Sequence, residues 1–278
     1  MTFLASQTGP ALHHSGLTLF TRDTYNPNGQ SYGLLGDLVG SVVVAVEALV
    51  LASPIALAAS LAINEYVPYR TRGILTSLVD LLAAVPSLVY GLWGLYFLDG
   101  HVFLTTKWLG HHAAFFPPFR DSPNAFGHSL FLAGIVVAIM VLPLMTSITR
   151  EVMSQTPREN CEAALALGGT RWGMITDVIL PFSRNGMVGA AMLGLGRALG
   201  ETIAVSLVLL GNDHLTSHIL HQGGGTVAEL IVRQFLGGSP LERSALTVAG
   251  LALFTVTLGV NIVARLVVGA AGARRGGA

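Results

Sequence analysis

The chain has 278 residues, of which 52% are hydrophobic and only 11% charged, with a mean hydropathy of +0.64. Soluble domains carry about a quarter charged residues, so there is too little polar material here to cover a water-facing surface. Basic and acidic residues balance, which argues against a nucleic-acid partner held by bulk electrostatics, and the single cysteine, Cys161, excludes an intrachain disulfide framework, a CxxC redox pair and a cysteine-rich metal site.

Residues 1–33 contain Pro10, His13, His14, Asp23 and Pro27, and no apolar run long enough for a signal peptide or a membrane span. They read as a polar extracytoplasmic tail, either translocated as it stands or deprived of an upstream helix missing from this sequence. Residues 34–278 read as one transmembrane domain. A spanning helix needs about 20 mostly apolar residues, and five stretches qualify: approximately Leu38–Ile63, Ile74–Leu98, Ser129–Ile148, Gly186–Leu210 and Ala245–Val268. Pro54, Pro86 and Pro143 fall inside the first three, and each is predicted to kink its helix by removing a backbone donor. The fourth carries Gly186, Gly189, Gly194, Gly196 and Gly200, whose small size lets another helix approach closely.

Arginine placement sets the orientation. Arg70 and Arg72 lie between the first two stretches, Arg150, Arg158, Arg171 and Arg184 between the third and fourth, and Arg265, Arg274 and Arg275 at the end of the fifth or beyond it. Those segments are expected to be cytoplasmic. The tail and the loops near 99–128 and 211–244 carry only Arg22, Lys107, Arg120, Arg233 and Arg243, together with all nine histidines, and are expected to face outward.

The loop at about 156–181 is polar and helical in character. Thr156, Pro157 and Glu159 form a helix-start pattern of hydroxyl cap, proline at the first helical position and carboxylate three residues after the cap. The helix is predicted to run through Cys161–Leu167 and stop at Gly168-Gly169, where glycine takes a left-handed cap. Thr170 caps a second short helix, Arg171–Leu180, before Pro181. On these signals alone, a lipid-interface loop that merely links spans fits as well as a docking knob. There is no Walker-type loop, no HExxH and no GxSxG, so nucleotide hydrolysis by this chain alone is not expected.

Glu162-Ala163-Ala164, then Gly168, then Val178-x-Leu180-Pro181 resembles the EAA loop of bacterial ABC-importer permeases, with Val178 where isoleucine is frequent. "LLAAVPSLVYGLWGL" (81–95), "IMVLPLMTSITREV" (139–152) and "MLGLGRALGETIAV" (192–205) look like the PstC-type permeases of phosphate importers. The likeness covers roughly Leu35 to Arg265. It implies an all-α transmembrane fold, a type I ABC-importer permease bundle (MetI-like) with about five spanning helices here, where such permeases usually have six, and a cytoplasmic EAA coupling loop. It also implies ATPase-coupling roles for Glu162, Ala163, Ala164, Gly168, Leu180 and Pro181. The implied partners are a sister PstA-like permease, two copies of a PstB-like ATPase that hold the ATP and Mg, a PstS-like phosphate-binding protein and the lipid bilayer of a bacterial plasma membrane. No cofactor is expected on this chain, and the expected role is transport rather than enzymatic.

Arg197 sits near the middle of the fourth stretch, where insertion scales put arginine at about 2.5–3.5 kcal/mol. Glu201 follows four residues on, a spacing that puts both on one face of an unbroken helix. The two form either a self-neutralising pair packed against neighbours or the lining of an anion path, in which the guanidinium fork matches phosphate oxygens. The resemblance implies transport roles for both. A carboxylate acceptor at Glu201 also suits hydrogen phosphate, which has an O–H to donate, over sulphate, which has none. Asp80, six residues before Pro86, suits a structural role, paired with an arginine or with backbone freed by the proline, or a place in the pathway. Glu47 has three readings: protonated, facing a missing or partner helix, or in the pathway. His214, His218 and His221 share a face if their loop is helical, but nothing around them supports a zinc site, and a docking surface for a binding protein is the expectation. The competing functions are a permease for another oxyanion, a passive anion channel and a membrane-embedded enzyme. The last lacks any clustered acid–base constellation.

Overall fold

The computed structural model describes residues 7–26, 31–112, 119, 127–209 and 218–273. Of the residues singled out above, Pro27, Arg120, Leu210, His214, Arg274 and Arg275 lie outside that set. In chain order the elements are α1 (Gly9–Ser15), β1 (Tyr25–Asn26), β2 (Ser31–Tyr32), α2 (Leu35–Leu61), α3 (Tyr69–Ala83), α4 (Ser87–Trp93), α5 (Asp99–His112) and α6 (Leu130–Ser154). They continue with α7 (Arg158–Ala166), α8 (Arg171–Met174), α9 (Leu180–Leu199), α10 (Ile203–Val208), α11 (Val227–Gln234) and α12 (Pro240–Ala273). Among the described residues, four helical runs are long and apolar enough to cross a membrane: Leu35–Tyr66, Leu130–Ser154, Arg171–Leu199 and Pro240–Val263. The pair Tyr69–Ala83 and Ser87–His112 passes the same test together, which makes up to five.

Three differences from the sequence expectation have local causes. The second stretch is broken at Ala84–Pro86, and Pro86 is the N-cap of α4 rather than an interior residue. Its missing N–H there costs no ladder bond. The fourth stretch stops at Leu199 and resumes only at Ile203, with Gly200, Glu201 and Thr202 outside any helix. Pro181 does not separate two helices, because a π-helical turn, Ile175–Ile179, precedes it and runs straight into α9. The wider turn makes room where the proline ring would otherwise meet the preceding carbonyl. Pro54 and Pro143, by contrast, lie inside α2 and α6 as predicted.

The chain divides into two compact units. The first comprises 1–48, 86–138 and 198–260. Its core contains Ala11, Leu19, Tyr25, Tyr32 and Leu34 against Val227, Leu230, Leu246 and Ala249. The segment read as a polar tail is therefore folded onto α11 and α12. Tyr25 and Tyr32, paired across the small hairpin, meet edge to face at 5.6 Å, and the backbone N–H of Ala11 donates to Ser244 Oγ at 3.0 Å.

The second unit comprises 49–85, 139–197 and 261–278. Here Ser60 Oγ donates to the Thr146 carbonyl at 2.9 Å and Asn64 Nδ2 to the Arg150 carbonyl at 2.9 Å, tying α2 and the π turn after it to α6. The glycines of α9 divide by use. A Cβ at Gly186 would overlap Val152 and one at Gly194 would lie 2.8 Å from Met145 Sδ, whereas one at Gly189 or Gly196 would have nothing within 4 Å among the described residues.

Candidate functional site

The second unit carries the loop on which the sequence argument rests, and its first helix closes by a specific hydrogen-bond pattern. The Gly168 N–H donates to the Leu165 carbonyl at 3.0 Å and the Gly169 N–H to the Ala164 carbonyl at 3.1 Å. These are the two reversed bonds of a Schellman ending, which needs a positive φ at its turning residue. Gly168 supplies it, at φ +87°. Gly169 is needed for another reason: a Cβ there would stand 2.6 Å from the Ala164 carbonyl oxygen. Thr170 then caps α8, its Oγ1 accepting from the Gly173 N–H at 3.0 Å, as its position predicted.

The other end of α7 differs from the predicted capping box. Pro157 takes the N-cap with extended backbone (φ −59°, ψ 124°) and no side chain caps the helix. Helical geometry starts one residue later than expected, at Arg158, so Thr156 falls outside the capping position. Its N–H closes the end of α6 on the Met153 carbonyl at 3.1 Å, and its Oγ1 is buried without a hydrogen-bond partner among the described residues.

The two faces of α7 have different partners. Cys161 and Ala164 pack against a buried cluster of Met153, Met174, Ile175 and Ile179, which Leu180 also touches. Glu159, Glu162, Ala163 and Ala166, at helical spacing, are exposed. That face pairs small side chains, which permit close seating, with two carboxylates free to meet a cation. Pro181 is exposed in the first turn of α9. Burial first, then the Glu65 and Glu162 carboxylates, pushes the Cys161 thiol above its ordinary range.

Arg197 is exposed near the end of α9 and forms no ion pair among the described residues. It ends an exposed stripe of Phe182, Asn185, Gly189, Leu193 and Arg197. The helix stops before Glu201, so the four-residue spacing does not place the two on one helical face. Glu201 is half-buried, and its Oε1 accepts from the Ala204 N–H at 3.2 Å at the start of α10. Asp80 is also exposed, and among the described residues its side chain meets neither an arginine nor freed backbone. Ser147 Oγ of α6 donates to its Oδ1 at 2.7 Å. Nothing in the sequence links two residues so far apart. Glu47 turns toward α6, where its carboxylate lies against Gly134 with neither oxygen hydrogen-bonded among the described residues. His218 and His221 stack with ring centroids 4.8 Å apart across a turn, not along a helix.

Comparison with known proteins places this geometry. The family described as "Binding-protein-dependent transport system inner membrane component" matches residues 52–272. The phosphate transport system permease protein PstC of Mycobacterium leprae is 38% identical over 273 residues, covering 96% of this chain and 86% of that protein. The PstC of Xylella fastidiosa (strain Temecula1) is 37% identical over 261 residues, covering 92% and 80%. Among solved structures, the inward-facing MetNI methionine ABC transporter aligns with a TM-score of 0.62 at 13% identity, over 85% of this chain and 95% of that one. A bacterial ABC transporter importing the acidic polysaccharide alginate aligns with a TM-score of 0.62 at 18% identity, over 91% and 87%. These structures share the fold of an ABC-importer permease. The chain belongs to the binding-protein-dependent transport system inner membrane components, and its relatives within that family are PstC-type phosphate transport permeases.

Proposed function

We propose that this chain is the PstC-like permease subunit of an ATP-driven phosphate importer in a bacterial plasma membrane. A sister PstA-like permease completes the translocation path, a PstS-like protein delivers the anion from outside, and two PstB-like ATPases hydrolyse ATP at the cytoplasmic face. This chain binds no cofactor of its own. The observation that carries the reading is the exposed small-residue and carboxylate face of α7, locked by its Schellman ending, in a chain whose relatives are phosphate permeases.

The coupling route follows from one continuous run of helix. From Arg171 through the π turn to Leu199 the chain does not break. At 1.5 Å per residue, α8 and Arg197 are joined by a rod about 40 Å long. A partner that moves the α7–α8 knob therefore moves the end that carries Arg197. Arg197 offers two parallel donors to phosphate oxygens. Glu201 has Oε1 engaged on α10, which orients Oε2 to accept the proton of hydrogen phosphate.

The test is uptake of labelled phosphate into vesicles reconstituted with all partners. Uptake is expected to require ATP and to be spared by excess sulphate. Flux that persists without the ATPase assigns a passive channel instead, and sulphate transport at a comparable rate assigns another oxyanion. Glu201→Gln is expected to lower phosphate uptake and narrow the preference over sulphate. Unchanged uptake and preference would remove Glu201 from the filter. Arg197→Lys keeps the charge but loses the fork and is expected to lower uptake at least as far. Orientation is checked by modifying Cys161 with a membrane-impermeant thiol reagent, which is expected to react in inverted vesicles and not in right-side-out ones.

A further inference from the structure

The second unit contains a polar cavity of about 450 Å³ that no step of the transport reading uses. Its size lies within the range of small-ligand sites, about 300–1,000 Å³. Three guanidiniums line it, Arg72 from the first turn of α3, Arg158 at the start of α7 and Arg171 at the start of α8. Against them stands the single carboxylate of Glu65. Among the described residues neither Glu65 nor any of the three arginines is in an ion pair, so the positive charge at the cavity is not neutralised by contact.

Two of the arginines are held in place. Arg72 Nη2 donates to the Asn64 carbonyl, and the Asn64 side chain is itself fixed on the Arg150 carbonyl. The Arg171 guanidinium lies over the Tyr66 ring, 5.3 Å from its centroid. Among the described residues two donors remain without acceptors: Arg72 Nε and Thr156 Oγ1 are both buried with no hydrogen-bond partner there, and both residues line the cavity. A buried donor without a partner has lost its water without replacing it, which is unfavourable. Here an oxyanion can relieve that cost. Both π-helical turns of the second unit, Ala62–Tyr66 and Ile175–Ile179, contribute to the wall, and such turns occur frequently at functional sites.

We propose that this cavity is a binding site for a phosphate group, held by Arg72, Arg158 and Arg171 and carried either by inorganic phosphate or by the headgroup of an anionic phospholipid. The binding claim does not depend on which anion the chain transports. A bound group touches α3, α7 and α8 at once, so it ties the knob to the helix that follows the first span.

Cys161 lines the same cavity and is the only cysteine of the chain, which makes it a built-in reporter. The experiment uses the full chain, with whichever subunits purify with it, in nanodiscs of phosphatidylcholine. An anionic methanethiosulfonate is applied, and the adduct on the Cys161 peptide is followed by mass spectrometry. Inorganic phosphate is added in one arm, with chloride at equal ionic strength as control. In the other arm phosphatidylglycerol is built into the disc without phosphate. Occupancy is expected to slow labelling about tenfold when the probe stands at about ten times its dissociation constant. Protection by phosphate assigns the free anion, and protection by phosphatidylglycerol alone assigns the headgroup. The double variant Arg158→Gln, Arg171→Gln changes two exposed residues and is expected to fold and to lose the protection. Arg197→Lys is expected to keep it. No protection in either arm, protection that survives the double variant, or protection lost in Arg197→Lys overturns the proposal.

Discussion

Glu47 and Gly134 occupy one another's space. The Glu47 carboxylate is buried against the position a Cβ of residue 134 would take, so Gly134→Val is expected to overpack the contact between α2 and α6. Overpacking of this kind costs about 1–3 kcal/mol. Glu47→Ala in the same chain is expected to return most of that loss, because the alanine vacates the volume. Thermal unfolding of both single variants and the double variant in detergent gives the coupling directly, and strictly additive losses would show that the two side chains do not compete. Cys161 answers to its neighbours by charge. Burial, Glu65 and Glu162 hold its thiol above the ordinary cysteine range, so less of it is thiolate at neutral pH and alkylation there is slow. Glu65→Gln or Glu162→Gln removes one of these negative neighbours, lowers the thiol's range and shifts the rate–pH curve toward lower pH. A curve unmoved by either change would leave burial as the whole cause.

At the scale of single elements, α7 is fixed by its ending. Gly168→Ala forces an L-residue to φ +87°, a left-handed conformation costing about 1–2 kcal/mol. Gly169→Ala sets a methyl against the Ala164 carbonyl. Either change is expected to reduce ATP-driven uptake by loosening the knob while leaving the amount of chain in the membrane unchanged. Quantitative blotting beside the uptake assay separates these effects, and a parallel loss of protein would point to a folding defect. Gly168 was legible in the sequence because a left-handed cap is a property of one residue and its immediate neighbours. The start of α7 was less legible. Pro157 fits either the cap or the first helical position, and only the observed backbone decides. The break at Gly200–Thr202 was hidden for a different reason. A window of apolar residues reports partition into lipid and is blind to where the hydrogen-bond ladder stops. At α3 and α4 the sequence did signal the interruption: Pro86 predicted a kink, and the ladder breaks there.

For the molecule as a whole, the apolar runs carried most of the fold, because a membrane allows few alternatives to helices that satisfy their own backbone. The N-terminal segment escaped that reasoning: Ala11, Leu19, Tyr25 and Tyr32 are too sparse to show a period, and only tertiary packing reveals that they are core. Arg197 was legible as an anomaly, a charge in an apolar run, but not as the end of an exposed stripe. That stripe bears on assembly. On α9, Gly186 and Gly194 are filled by Val152 and Met145 of the same chain, whereas Gly189 faces open space between exposed Phe182 and Leu193. A Cβ at 189 meets nothing within 4 Å among the described residues, so a bulky side chain there is expected to leave the chain's own stability unchanged. If a second permease seats on the stripe, Gly189→Trp blocks the close approach that small residues permit. Co-purification of the sister subunit is then expected to fall about tenfold or more, equivalent to about 1.4 kcal/mol, with uptake falling in step. Gly194→Trp serves as the contrast, because it collides with Met145 and is expected to destabilise the chain before any partner arrives. Normal assembly and transport in Gly189→Trp would move the permease–permease contact to another face and leave Arg197 outside the shared path.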